Sequence, residues 1–167
     1  MPTTGNNLLQ AVSESFGLIF LLERKLEYIF DRILASDNLT AKQWLVLAAI
    51  EKLCKQKPSI QEVAKLLATS HQNIKAISLN LEKGGFVALE KDPKDKRVTR
   101  LSTTDKSKAF WQGREAEDKA FLLELFRHLS DQEKLTLHQS LGKLLQGTDE
   151  LAERINREKE QCDALKV

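Results

Sequence analysis

The chain has 167 residues, 41% of them hydrophobic and 30% charged, with a formal charge of +2 and only 3 prolines and 7 glycines. That length suits one domain of about 100–200 residues with enough apolar material for a core, and the composition suits a mostly helical fold with little linker. The 2 cysteines, Cys54 and Cys162, lie far apart and form no CxxC unit, which excludes a disulfide framework and fits a reducing, cytoplasmic setting.

Near the start, Phe16 to Leu22 is an apolar run too short to span a bilayer. No basic cluster precedes it and Glu23-Arg24-Lys25 closes it, so neither a secretory signal nor a membrane helix is expected. Leu8, Val12, Phe16, Ile19, Phe20, Leu26, Ile29, Phe30 and Ile33 fit one long helix. Its apolar stripe is wider than a small domain needs for itself, and part of it is expected to meet a partner chain.

The middle of the chain carries the strongest local signals. Ser59 with Glu62 three residues later is a capping box, and Ile60, Val63, Ala64 and Leu67 recur behind it at helical spacing. Ala68-Thr69 leaves room only for a tight connection before a second helix begins at Ser70. Ile74, Ile77, Ser78 and Leu81 form the inward stripe of that second helix, and Gly84-Gly85 offers positive φ just past its end. Its outward first turns hold Ser70, His71, Gln72, Asn73 and Lys75 and no acid at all, whereas an idle solvent face is usually rich in Glu and Lys. Asn and Gln pair in bidentate fashion with adenine, and Lys favours guanine or phosphate, so the set has the chemistry of a helix that reads the major groove.

After Gly85, residues 86–91 read as a strand, 92–95 as a turn and 97–101 as the returning strand. The tip of this hairpin holds Lys91, Lys94, Lys96 and Arg97, suited to phosphates or to a narrow minor groove, with Asp95 placed to orient Arg97. Charge gathers on the same unit. Residues 70–100 contain 7 Lys/Arg against 4 Asp/Glu, while residues 101–167 contain 11 against 13. Two helices joined by a tight turn and followed by a basic hairpin make a winged helix-turn-helix, and DNA binding is the expected function.

Further on, Phe110, Trp111, Phe121, Leu122, Leu125, Phe126 and Leu129 fit one helix. Leu135, Leu141, Leu144, Leu145, Leu151 and Ile155 fit another, the two separated by a Ser130–Glu133 capping box. These helices repeat the apolar surplus of the N-terminal one, which mutual packing of two subunits would resolve. Catalysis finds little support: His71, His128 and His138 make no HExxH pair, and no nucleophile elbow, phosphate loop or dinucleotide fingerprint is present. Glu124 and His128, one helical turn apart, suit a surface hydrogen bond better than a metal. Cys54, near lysines, reads better as an inert thiol than as a redox sensor. No cofactor is expected.

Three segments, Ser70-His71-Gln72-Asn73-Ile74-Lys75, Leu81-Glu82-Lys83-Gly84-Gly85-Phe86-Val87 and Asp92-Pro93-Lys94-Asp95-Lys96-Arg97, resemble the recognition helix, helix exit and wing of the MarR family of regulators. Leu39-Thr40-Ala41-Lys42-Gln43-Trp44 is similar to that family's opening of the preceding helix. Thr103, Ser107 and Ala76 depart from its usual leucine, glycine and basic residue. The resemblance implies a cytoplasmic homodimer, mostly α with a small β-hairpin wing, in a single domain 1–167. Residues 36–103 would form the DNA-binding lobe, and 6–35 with 104–164 the helical dimerisation region. Ser70, His71, Gln72, Asn73, Lys75, Lys94, Lys96 and Arg97 are the expected contacts to double-stranded DNA. The expected role is transcriptional repression from a palindromic operator, relieved by a small-molecule effector of apolar or phenolic character. Phe16, Phe20, Tyr28, Trp44 and Trp111 are aromatic groups available to an effector cleft, none assigned to it. The competing readings are a winged-helix interaction or scaffold module without DNA binding, and a domain attached to an enzyme.

Overall fold

The structure, a computed structural model, describes residues 4–53 and 56–164. Its elements follow as α1 (Thr4–Ile33), α2 (Ala41–Ala48), α3 (Ile60–Leu66), α4 (His71–Lys83), β1 (Val87–Lys91), β2 (Thr99–Thr103), α5 (Asp105–Leu125) and α6 (Asp131–Ala164). This is the mostly helical fold with one antiparallel hairpin that the sequence leads one to expect. The chain divides into two compact units, Met1–Gly113 and Arg114–Val167.

In the first unit the short helices begin where side chains satisfy the orphaned backbone donors. Thr40 opens α2 with a capping box: its hydroxyl accepts from the Gln43 N–H and the Gln43 carboxamide accepts from the Thr40 N–H. Asp31 of α1 accepts from the Ala41 N–H at 2.7 Å, which seats α2 against the end of α1. Ser59 and Glu62 form the anticipated box at α3, and Ser70 caps α4 by accepting from the Asn73 N–H at 3.1 Å.

Three of the exits share one device. At each, a left-handed residue turns the chain while two backbone bonds close the last carbonyls. After α4, Gly85 (φ 75°) donates to the Glu82 carbonyl and Phe86 to that of Leu81. After α3, Ala68 (φ 47°) donates to Lys65 and Thr69 to Ala64. After the 3-10 turn Leu34–Asp37, Asn38 (φ 56°) donates to Ala35 and Leu39 to Leu34. Glycine and asparagine tolerate this conformation, whereas alanine is strained in it.

These exits fold α2, α3, α4 and the hairpin around one core. Leu34, Leu47, Val63, Ile74, Leu81 and Leu101 are fully enclosed, each contributing about 1.5–3 kcal/mol of transfer free energy. Ser78 of the α4 stripe is also fully buried, and Ile77 is half-buried. Beside the core runs a row of rings, Phe86–Phe110–Trp111–Trp44–Phe30, with successive centroids 4.8–5.9 Å apart in tilted or edge-to-face pairs. It leads from the exit of α4 to the end of α1.

The hairpin pairs Val87 with Thr103 through Lys91 with Thr99. Its second strand therefore starts two residues later than expected, at 99 and not 97, and the turn widens to 92–98. Asp92 Oδ1 accepts from the N–H of Lys94 and of Asp95, Asp95 Oδ1 accepts from the Arg97 N–H, and Val98 N–H donates to the Asp95 carbonyl. Each bond holds the chain in a turn that a ladder would otherwise have straightened.

Much of the apolar surface of α1 is uncovered: Leu8, Val12, Phe16, Leu18, Phe20, Leu21 and Leu22 are all more than half exposed. In the second unit α6, opened by the Ser130–Glu133 box, exposes Leu135, Leu141, Leu144, Leu145, Leu151 and Ile155. Helix α5 ends at Leu125, so Phe126 and Leu129 fall beyond it. There the N–H groups of Arg127 and Leu129 donate to carbonyls three residues back, tightening the chain before the Ser130 cap. Cys162 is an exposed free thiol, and Cys54 lies outside the described residues.

Candidate nucleic-acid interface

Helix α4 presents a polar, acid-free start because its apolar residues follow the 3.6-residue repeat onto the core. With Ile74, Ser78 and Leu81 turned inward, His71, Gln72, Asn73 and Lys75 are all exposed. Ser70 is also exposed, and its hydroxyl caps the helix. The Asn73 carboxamide donates to Thr69 Oγ1 at 3.0 Å, which restrains its orientation while leaving it exposed.

The hairpin brings its cations alongside. His71 and Lys75 of α4 share a cleft of about 270 Å³ with Lys91 and Arg97 of the hairpin, lined also by Ser59, Ile60 and Thr99. Three cationic groups and a histidine thus converge beside the start of a helix, an arrangement that draws anions. Lys94 and Lys96 are exposed on the tip, outside this cleft. Asp95 Oδ1 pairs with Arg97 Nε at 3.2 Å, as the two-residue spacing suggested, and the Arg97 side chain stays 93% exposed.

Arg100 is a positioning group that the sequence reading leaves unassigned. From β2 its Nε donates to Asp92 Oδ2 at 2.7 Å, and its Nη1 donates to Glu62 Oε2 at 3.0 Å and to the Lys57 carbonyl. One guanidinium therefore ties the wing loop, the cap of α3 and the segment before it. Its bond, with the Lys94 and Asp95 N–H groups, holds the Asp92 carboxyl down at about 2. The Ser59 N–H and hydroxyl, then Arg100, hold Glu62 below the usual carboxylate range. The available signal is that a strand residue directed toward a helix must find a partner if it is charged.

Among the described residues no group of three or more His, Cys, Asp or Glu side chains is placed to hold a metal. Glu124 pairs with Arg127, whose Nε approaches His128 Nε2 at 3.1 Å, so Arg127 intervenes between the two residues considered for a metal. No helix among the described residues is long and apolar enough to cross a membrane.

No protein-family model matches the chain. The transcriptional activatory protein BadR of Rhodopseudomonas palustris is 28% identical over 82 residues, which is 48% of this chain and 47% of the relative, so the match spans about half the length of that protein. Solved structures are similar over much more of the chain. Wild-type MarR from E. coli superposes with a TM-score of 0.62 at 26% identity, over 77% of this chain and 93% of that one. The MepR–DNA complex of S. aureus gives a TM-score of 0.70 at 17% identity, over 80% and 97% respectively. These superpositions cover more than three quarters of this chain and nearly all of each neighbour: the chain is a winged-helix protein with the MarR-family fold.

Proposed function

We propose that the protein is a sequence-specific regulator of transcription that binds double-stranded DNA as a homodimer. The observation that carries this reading is the exposed, acid-free start of α4 set beside Arg97, Lys91 and Lys75 in one cationic cleft. His71, Gln72, Asn73 and Lys75 would meet base edges in the major groove, with Ser70 aiming the helix N-terminus at a phosphate. Lys94, Lys96 and Arg97 would lie along the flanking backbone or in the minor groove. Residues 36–103 serve as the binding lobe, and 6–35 with 104–164 join two protomers.

The exposed apolar surfaces of α1 and α6 support that pairing. Two-fold symmetry then sets two α4 helices about 34 Å apart, one turn of DNA, and the operator is a palindrome. Repression follows where the dimer covers a promoter; the same dimer upstream of one would act in the sense that the name of BadR records. A small apolar or phenolic effector regulates binding by its different affinity for two spacings of the α4 helices.

The test is binding to random and selected duplexes at two salt concentrations. Each phosphate contact adds about 0.9 to the log–log salt slope. Arg97→Ala is expected to weaken all sequences alike and to lower that slope by about one contact, and Asn73→Ala to cost about 1–3 kcal/mol of discrimination at one base position. Absence of both affinity and slope in the wild type sinks the proposal in favour of a protein-interaction module.

A further inference from the structure

Helix α4 is gripped at its far end by the first turn of α5. Lys106 Nζ donates to the Gly84 carbonyl at 2.7 Å, and the same ammonium lies 4.4 Å from the centroid of the Phe86 ring. Thr104 Oγ1 donates to the Gly85 carbonyl at 2.6 Å, and the Thr104 N–H reaches the Phe86 carbonyl. Phe86 in turn meets Phe110 of α5 edge to face. The fit is tight at Gly84 and ordinary at Gly85. A Cβ on Gly84 would stand 3.2 Å from Phe86 Cδ2, and one on Gly85 would stand 3.6 Å from Lys106 Cδ. A cation at the last carbonyls of a helix is also favoured by the helix dipole.

From this geometry we propose that Lys106 is a positioning residue for base reading: it fixes the angle at which α4 leaves the hairpin and so governs discrimination between DNA sequences without contacting DNA. The inference rests on the DNA-binding function proposed above. Leverage is the reason. Helix α4 has 13 residues and so is about 20 Å long, and a tilt of about 5° at its clamped end moves His71 to Asn73 by roughly 1.7 Å. A bidentate hydrogen bond to a base tolerates a few tenths of an ångström. Flexible lysines on a phosphate backbone follow such a shift, and fixed carboxamides in the groove do not.

The experiment compares a duplex that the wild-type protein recovers from a random library with a scrambled duplex of the same length and composition. Lys106→Met keeps the aliphatic stem over Gly85 and Phe86 but removes the donor and the charge. It is expected to bind the scrambled duplex with unchanged affinity and salt slope, and the selected duplex at least about fivefold more weakly. Lys106→Arg, which retains a donor and the charge, is expected to restore the preference. Thr104→Val, rescued by Thr104→Ser, probes the other half of the clamp and serves if Lys106→Met does not fold. An unchanged ratio between duplexes in Lys106→Met overturns the proposal. Equal losses on both duplexes with a slope lower by about 0.9 also overturn it, because Lys106 would then be a phosphate contact. Failure of the wild type to prefer any duplex rejects the DNA-binding function instead.

Discussion

The segment from Leu34 to Phe110 and the terminal helices solve the problem of apolar side chains in opposite ways. The former encloses its leucines behind capped, sharply terminated helices, so that Leu34, Leu47 and Leu101 are entirely withdrawn from solvent. Phe16 and Leu18 in α1, and Leu145 in α6, are all more than 60% exposed. Single exposed apolar residues are ordinary, but a run of them along one helix marks a surface suited to a partner. The difference teaches where self-sufficiency ends: the winged-helix segment closes its core within one chain, and the terminal helices leave apolar faces uncovered.

The sharpest way to break that contrast is a pair of substitutions. Leu47→Ala is expected to destabilise folding by about 2–5 kcal/mol through lost burial and the cavity left behind, a loss that thermal unfolding reads as independent of protein concentration. Phe20→Glu is expected to leave the winged-helix segment folded and to drive dimers to monomers in sedimentation experiments, with stability now dependent on concentration in the wild type only. A Phe20→Glu protein that still sediments as a dimer would falsify the assignment of α1 to an interface.

A gentler probe is acid. The Asp92 carboxyl titrates at about 2 when folded, against a usual value of 3.8. A depressed carboxylate contributes stability that is present above the unfolded value and disappears as pH falls from about 4 through about 2. Unfolding curves over that window should therefore lose less stability in Asp92→Asn than in the wild type. The smallest effect is expected at Ala68, whose positive φ costs alanine but not glycine. Ala68→Gly should raise stability by up to about 1 kcal/mol, the relief of strain being partly offset by the greater freedom of glycine in the unfolded chain. A loss of stability there would mean that the Ala68 methyl packs more than it strains.

What was legible in the sequence follows from whether the physics is local. Capping boxes at Ser59 and Ser130 are written in residues three apart, and both are present. The inward stripe of α4 and the glycine exit at Gly85 were equally readable, since periodicity and residue type suffice. The exit at Ala68 was legible as a tight connection but not as a left-handed one, because nothing about alanine announces positive φ. The start of β2 was misplaced by two residues because Asp92 and Asp95 hold the backbone in successive turns, and β-favouring residues such as Val98 do not reveal that competition. The contacts of Arg100 and Lys106 were illegible: Arg100 meets Glu62 across 38 positions, and Lys106 meets Gly84 across 22. Their partners exist only after folding.

The row of rings has a practical corollary. The chain contains 2 tryptophans, Trp44 and Trp111, and both stand in that row with centroids 5.9 Å apart, between the end of α1 and the exit of α4. Its tryptophan emission therefore originates from a single junction. A compound that alters this junction would shift the tryptophan emission of the unmodified protein, so a spectrofluorometer reads its binding with no attached label.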